Sequence, residues 1–361
     1  MPTPPDPSKP LVRGVDDPAA ESEASIAVRL EVPPVTVLAG TGRAPDTRLA
    51  LDPAVPLAIA LHRVCLSELN SAITTLRRDP DERRGVHETR KSLKRLRAML
   101  RLVRDTVGYG VYRGENVVLR DTGRRLSAVR SSEVLAKLAR AETDALGGAM
   151  ARESARMLVS ELEERHDRAA TDLFADRQHV IDLLTTLLCS RARFERWPLV
   201  GTDPDAHGVP RRAIPDDFGA VAPGVRRVYR RGKRAMAGAA AEPSTETFHE
   251  WRKRAKYLQY QLEALRPRLP DVIGGEAIAL AELGEALGDE HDLGELAELL
   301  VTEPHLVPDD AARHALALAV ATKRHELQRR ALRLGARSYH EPPDAFVARL
   351  AGYWRASVTR P

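Results

Sequence analysis

Two cysteines in 361 residues are too few for a disulfide framework. Cys65 and Cys189 fall in apolar helical patterns far apart in sequence, so two buried thiols in a reducing compartment are expected. Aromatic residues supply only 4% of the chain, which argues against a sheet-rich fold. No apolar run approaches the roughly 20 residues that a membrane-spanning helix needs. The opening MPTPPDPSKP has no basic segment followed by an apolar stretch, so no secretory signal is read there. The expectation is a soluble, cytoplasmic chain with no membrane partner. GxxxxGK[ST], HExxH and a credible dinucleotide fingerprint are also missing. The HE dipeptides at His87, His249 and His325 lack a second His four positions on. No cofactor and no resident metal are expected.

What is present is charge, at 30% of residues, on a background rich in Ala, Leu, Arg and Glu that suits helices. Subtracting 51 acidic from 56 basic residues leaves only +5, but the charges are segregated. From Arg77 to Arg130 there are 16 Arg/Lys against 7 Asp/Glu, and from Arg226 to Lys256 there are 10 against 3. From Asp271 to Asp310 there are 12 acidic residues and no Arg or Lys. Basic blocks inside a nearly neutral total point to a local anion site.

The basic blocks contain a repeat. Val86-His-Glu-Thr-Arg-Lys-Ser-Leu-Lys-Arg-Leu-Arg97 returns further along as Phe248-His-Glu-Trp-Arg-Lys-Arg-Ala-Lys-Tyr-Leu-Gln259, with His, Glu, Arg, Lys, Lys and Leu in register and no gap. An internal duplication is the first inference. On a helical wheel Arg90, Lys91, Lys94 and Arg101 lie within about 60° of His87, with Arg97 just outside. Leu93, Leu96, Leu100 and Val103 take the opposite side. In the second copy His249, Arg252, Lys253 and Lys256 share a face with Tyr260 and Glu263, while Trp251, Leu258, Leu262 and Leu265 face the core. One such stripe usually means a solvated surface. Two copies that keep the same cations while neighbours change favour a function, although a buried packing role competes for each histidine. Like charges three or four apart repel, and a bound anion would neutralise the row.

The rest of the chain reads as helices around these two. Residues 1–53, rich in Pro, Ala and Gly, are expected to be a largely disordered tail. A first half, 54–200, starts with a helix from Val55 that Asp79-Pro80-Asp81 ends. A helix from Arg83 to Thr106, broken by Gly108 and Gly110, follows, then one from Tyr112 towards Leu138, then helices at 150–175 and 178–195. Residues 201–224, dense in Pro and Gly, connect to a second half, 225–361. There helices are expected at 225–240, 245–266, in the acidic region, and at 309–335 and 343–357. Four or five amphipathic helices per half make an all-α protein of two bundles. A second repeated element aligns Leu126–Ser131 with Leu287–Asp292; its acids, Asp289, Glu290 and Asp292, are read as supports for the basic faces or, less favourably, as metal ligands.

The two His-x-x-Arg-Lys-x-x-Lys helices, the segment Tyr112-Arg113…Asn116…Leu119-Arg120-Asp121 and Leu287-Gly-Asp-Glu-His-Asp-Leu293 together resemble the conserved histidine α-helical domain, or CHAD, family over 54–357. The resemblance implies two antiparallel four-helix bundles, related by a pseudo-twofold axis, with a basic central groove or pore. It also implies binding of inorganic polyphosphate and, for some members, association with polyphosphate granules. His87, Arg90, Lys91 and Lys94 match the first family motif; His249, Arg252, Lys253, Lys256 and Tyr260 match the second. Arg130 matches the arginine of an Arg-Asp pair, with Ser131 where Asp is usual, and Gln259 replaces a usual Arg. With Arg97 and Arg101 from the wheel, these are the expected polyphosphate-binding residues. No catalysis is expected. Nucleic acid on the same faces is the first alternative, weakened by the scarcity of aromatics there for stacking; a metal-dependent phosphoanhydride hydrolase is the second.

Overall fold

The computed structural model describes residues 49–78, 83–175, 177–197 and 214–358, and among these the chain forms helices and turns with no strand. The α-helices are α1 (Leu57–Arg78), α2 (Arg83–Leu102), α3 (Arg104–Val107), α4 (Tyr109–Arg125), α5 (Ser127–Asp144), α6 (Ala149–Ala175) and α7 (Arg177–Glu195). They continue with α8 (Ala222–Ala241), α9 (Thr245–Leu265), α10 (Pro270–Thr302), α11 (Asp310–Ser338) and α12 (Pro343–Val358). The all-α class stands.

The duplication runs through the whole fold. Moved along the chain by the interval from His87 to His249, α2 falls on 245–264 against the observed Thr245–Leu265, and α6 on 311–337 against Asp310–Ser338. The copies differ most in one place. The first has separate helices α4 and α5, where one helix from Tyr112 to Leu138 was expected, and the second has the continuous α10. The break is at Leu126, which takes φ −94°, ψ 6° and is fully buried, whereas its counterpart Leu287 sits inside α10. The α2 helix also stops earlier than expected, at Leu102; Gly108, at φ +91°, separates α3 from α4 in a conformation that favours glycine.

Local chemistry sets several helix starts. A capping box opens α9: Ser244 Oγ accepts from Thr247 N at 3.2 Å and Thr247 Oγ1 accepts from Ser244 N at 3.0 Å. Asp309 Oδ1 caps α11 by accepting from Ala312 N at 2.6 Å. Proline occupies the first turn of α8 and α10, where its missing N–H costs nothing.

The cores do not follow the halves of the sequence, as one bundle per half would require. The larger core takes Leu57, Leu61 and Leu69 from α1 and Leu93, Leu96 and Leu100 from α2, but also Tyr229 of α8, Trp251 and Leu258 of α9, and Leu280 and Leu287 of α10. The smaller takes Ala139 of α5 and Leu158 of α6 together with Leu296 and Leu300 of α10 and Leu316 of α11. The cause is length. At 1.5 Å per residue the 33-residue α10 is about 50 Å long, enough to serve both cores in turn.

The described residues on either side of 198–213 are anchored to the helices. Trp197 is buried and stacks on Phe194 at 4.5 Å, and Asp216 Oδ1 accepts from Leu57 N at 2.7 Å. Pro223 and Gly224, expected in the connection, lie inside α8. A Cβ on Gly224 would sit 2.0 Å from Leu102 O, so only glycine lets α8 cross the end of α2 this closely. The end of the expected tail is part of the core, with Leu49 and Leu51 buried and Leu51 N donating to Ala264 O at 2.9 Å. The tail residues 1–48, the Asp79–Asp81 helix stop and residues 201–213 of the expected connection lie outside the described residues. One thiol expectation fails: Cys65 is buried but Cys189 is exposed on α7. Burial and the Glu68 charge push the Cys65 thiol up to about 12.

Candidate functional site

The first basic face sits on α2 as its periodicity demands. Leu93, Leu96, Leu100 and Val103 are buried, Lys94 is exposed, and His87, Arg90, Lys91, Arg97 and Arg101 are half-buried. Neighbouring α4 braces it: Arg90 donates to Gly123 O, and Arg97 Nε donates to Asn116 Oδ1 at 3.1 Å. Arg101 Nη1 donates to Arg97 O at 2.7 Å. Arg130 lies on α5, but its side chain is outside the described residues, as is that of Ser131.

On α9, Lys253 is exposed, His249, Arg252 and Lys256 are half-buried, and Trp251, Leu258, Leu262 and Leu265 are in the core. Lys253 pairs with Glu250 at 2.8 Å. Lys256 Nζ donates to Gln259 Oε1 at 3.0 Å, and Gln259 Nε2 donates to Glu263 Oε1 at 2.7 Å. The glutamine that departs from the family pattern therefore links Lys256 to Glu263, the carboxylate on the same face. Tyr260 is buried rather than displayed, and burial pushes its hydroxyl up to about 12.

The helices α2 and α9 pack against each other. Gln261 Nε2 donates to Ala98 O at 3.2 Å, and the Arg97 and Arg101 guanidiniums lie 6.0 and 4.0 Å from the Tyr257 ring centre. The cations of one face act on the other. Burial first, then Lys253 and Arg252, hold His249 below the ordinary imidazole range, and Lys94 adds to this from α2. Lys256 is held below the ordinary ammonium range by burial and Arg252, with Lys91 contributing across the helix pair. Arg252 Nε, His249 Nδ1 and His291 Nδ1 are buried with no hydrogen-bond partner among the described residues. Polar atoms left this way in a positive field are suited to an anionic acceptor.

His291 on α10 stands beside this surface, its ring centre 4.2 Å from that of His249. Burial, Arg252, His249, Lys94 and Lys253 lower it from 6.5 to about 3. The unfolded chain accepts this proton near 6.5 and the folded chain only near 3. The stability conferred by a neutral His291 is therefore complete above 6.5 and is lost as pH falls towards 3. Urea unfolding between pH 7 and about 4 should show a shallower loss of stability for His291→Gln than for the unaltered chain. Parallel curves would reject this account.

The acids of α10 divide by role. Glu290 is fully buried, with Oε1 accepting from Arg324 Nη2 at 2.8 Å and Gln328 Nε2 at 2.9 Å, so it fastens α10 to α11. That removes it from the expected trio with Asp289 and Asp292. Among the described residues, the group able to bring ligand atoms within 4.8 Å of one another is His291, Asp292 and Glu295. The cations that depress His291 also oppose a metal ion there.

Asn116, Tyr257 and Gln261 position the faces and are not among the expected site residues. Gln261 had a readable signal, a polar residue between Tyr260 and Leu262 in a stretch whose neighbours are core. Its partner Ala98 O had none.

The CHAD domain family model matches residues 60–301, about two thirds of the chain and both basic helices. The chain belongs to the CHAD domain family. Its CHAD domain is also similar in structure to PptA from Streptomyces chartreusis, at a TM-score of 0.57 and 17% identity, covering 78% of this chain and 100% of that one. The CHAD domain from the plant Ricinus communis matches at a TM-score of 0.46 and 21% identity, covering 87% of this chain and 98% of that one. No curated protein matches. Among the described residues of this CHAD domain, no helix is long and apolar enough to cross a membrane.

Proposed function

We propose that this CHAD domain binds inorganic polyphosphate without transforming it, along the joined basic faces of α2 and α9, and that it associates with polyphosphate granules. The observation that carries the reading is the contact between the two helices. Gln261 of α9 donates to Ala98 O of α2, and Arg97 and Arg101 of α2 lie over Tyr257 of α9, so the cations of the two helices belong to one surface rather than two separate stripes, and Lys94 and Lys91 add to the lowering of His249 and Lys256. Cations three or four residues apart on a helix are about 5–6 Å from each other and can meet successive phosphoryl groups without base contacts. The arginines offer paired hydrogen bonds to phosphate oxygens, and the exposed Lys94 and Lys253 offer adaptable point charges.

Nucleic acid would need bases to stack. Trp251 faces the core, Tyr260 is buried and Tyr257 lies under Arg101, so none presents an open ring. The engagement of Glu290 by Arg324 and Gln328 weakens a metal-dependent hydrolase. The test is a competition at equal charge concentration. Bound long-chain polyphosphate should resist single- and double-stranded nucleic acid, and incubation with Mg²⁺ or Mn²⁺ should release no orthophosphate. Ready displacement would favour the nucleic-acid reading, and metal-dependent orthophosphate release would favour the hydrolase.

A further inference from the structure

Where the end of α2 meets α3, α4, α8 and α9, five arginines line one cleft that opens to solvent and encloses about 10 Å³, room for about one water: Arg101, Arg104, Arg227, Arg231 and Arg254. Two carboxylates serve them, Asp105 pairing with Arg227 and Glu250 with Arg254. Glu250 is shared with Lys253. Arg101, Arg104 and Arg231 have no carboxylate partner among the described residues. Arg104 Nε and Arg227 Nη1 are buried and find no hydrogen-bond acceptor there either. Aromatic rings hold the guanidiniums in place: Arg101 lies 4.0 Å over Tyr257, and Arg104 is 5.3 Å from the Tyr112 ring centre. Arg101 and Arg231 are both held below the ordinary guanidinium range, by burial first and also by neighbouring arginines.

This cleft differs in kind from the lysine and histidine faces. It is compact, its donors are planar forks, and it holds an excess of positive charge around a small space. Such a set matches one tetrahedral group with many acceptor oxygens and more than one charge. A linear polyphosphate has such a group only at its ends. An internal phosphoryl carries two non-bridging oxygens and one charge, whereas a terminal one carries three and approaches two charges above a second pKa of about 6. The cleft also adjoins the polyphosphate face, because Arg97 lies 6.0 Å from the Tyr257 ring over which Arg101 stacks.

We propose that the mouth of the five-arginine cleft is a chain-end site that takes the terminal phosphoryl group of a linear polyphosphate whose interior lies along α2 and α9. The proposal rests on the polyphosphate reading and adds to it a preference for ends. The test compares linear tripolyphosphate with cyclic hexametaphosphate, which has more phosphoryl groups and no terminus, by titration calorimetry on the full chain. A surface that only counts charge prefers the ring. The linear ligand should instead bind at least about tenfold more tightly. Arg104→Gln with Arg231→Gln should abolish that preference and change long-chain affinity by less than about threefold, with helical circular dichroism unchanged. The single Arg231→Gln, at an exposed position, gives the same direction should the double variant unfold.

A ring bound as tightly as the linear ligand, or a folded variant that keeps the preference, overturns the chain-end site. If long chains bind and tripolyphosphate does not, the chain-end site fails while the polyphosphate reading stands. If no polyphosphate of any form binds, both fall.

Discussion

Replacing Lys91, Lys94, Lys253 and Lys256 with alanine should weaken long-chain polyphosphate binding by between about 30-fold and 1,000-fold. The range follows from about 0.5–1 kcal/mol for each of four solvent-accessible charge contacts. The salt dependence should change with it. Each phosphate neutralised releases condensed counterions, and the slope of log affinity against log salt is about 0.7 per contact for a single-stranded polyanion. Losing four contacts should flatten that slope by up to about 3. The fold should survive, because Lys94 and Lys253 are exposed and Lys256 points to Gln259 rather than into the core. Fluorescence titrations at several salt concentrations, with circular dichroism as the folding control, give the answer. A folded quadruple variant with the original affinity and slope would show that these helices are only solvated surface.

Glu68→Gln should lower the unfolding free energy by about 3–5 kcal/mol, the usual cost of removing one partner from a buried ion pair. Glu68 on α1 and Arg95 on α2 pair at 3.3 Å with side chains 0% and 3% exposed. The substitution keeps the shape of the side chain but leaves the Arg95 charge buried without this carboxylate. Replacing both residues, by Glu68→Leu with Arg95→Met, should recover most of the loss, because two apolar groups of similar volume need no solvation. Urea unfolding of the unaltered chain and the two variants measures both effects. Equal losses in the single and the double variant would show that shape, not charge, matters at this contact. Arg95 is also instructive for its neighbours: it sits between Lys94 and Leu96 in the most basic stretch of the chain, yet it belongs to the core.

The same contrast defines how far the sequence could be read. The recurrence of one motif at His87 and His249 revealed the duplication, and helical periodicity revealed the outward faces of α2 and α9, because each depends only on local order along the chain. Helix ends were harder. Leu126 has no breaker chemistry, and its equally buried counterpart Leu287 stays helical, so nothing in the local sequence marks the break. Pro223 and Gly224 carry strong breaker signals, yet both lie in α8: proline is tolerated in a first turn, and the glycine is required by the nearness of Leu102 O. The exposure of Cys189 likewise turned on which face of α7 met the core.

Linear order alone specifies an all-helical, duplicated chain with two matching rows of cations, since composition, periodicity and repetition need no knowledge of distant contacts. Packing in three dimensions was needed to join the two rows into one surface and to draw both cores from both halves. It also set five arginines from α2, α3, α8 and α9 around a single cleft. Arg101 and Arg231 come from opposite halves of the chain, and their meeting is fixed by helix packing, which no local pattern encodes.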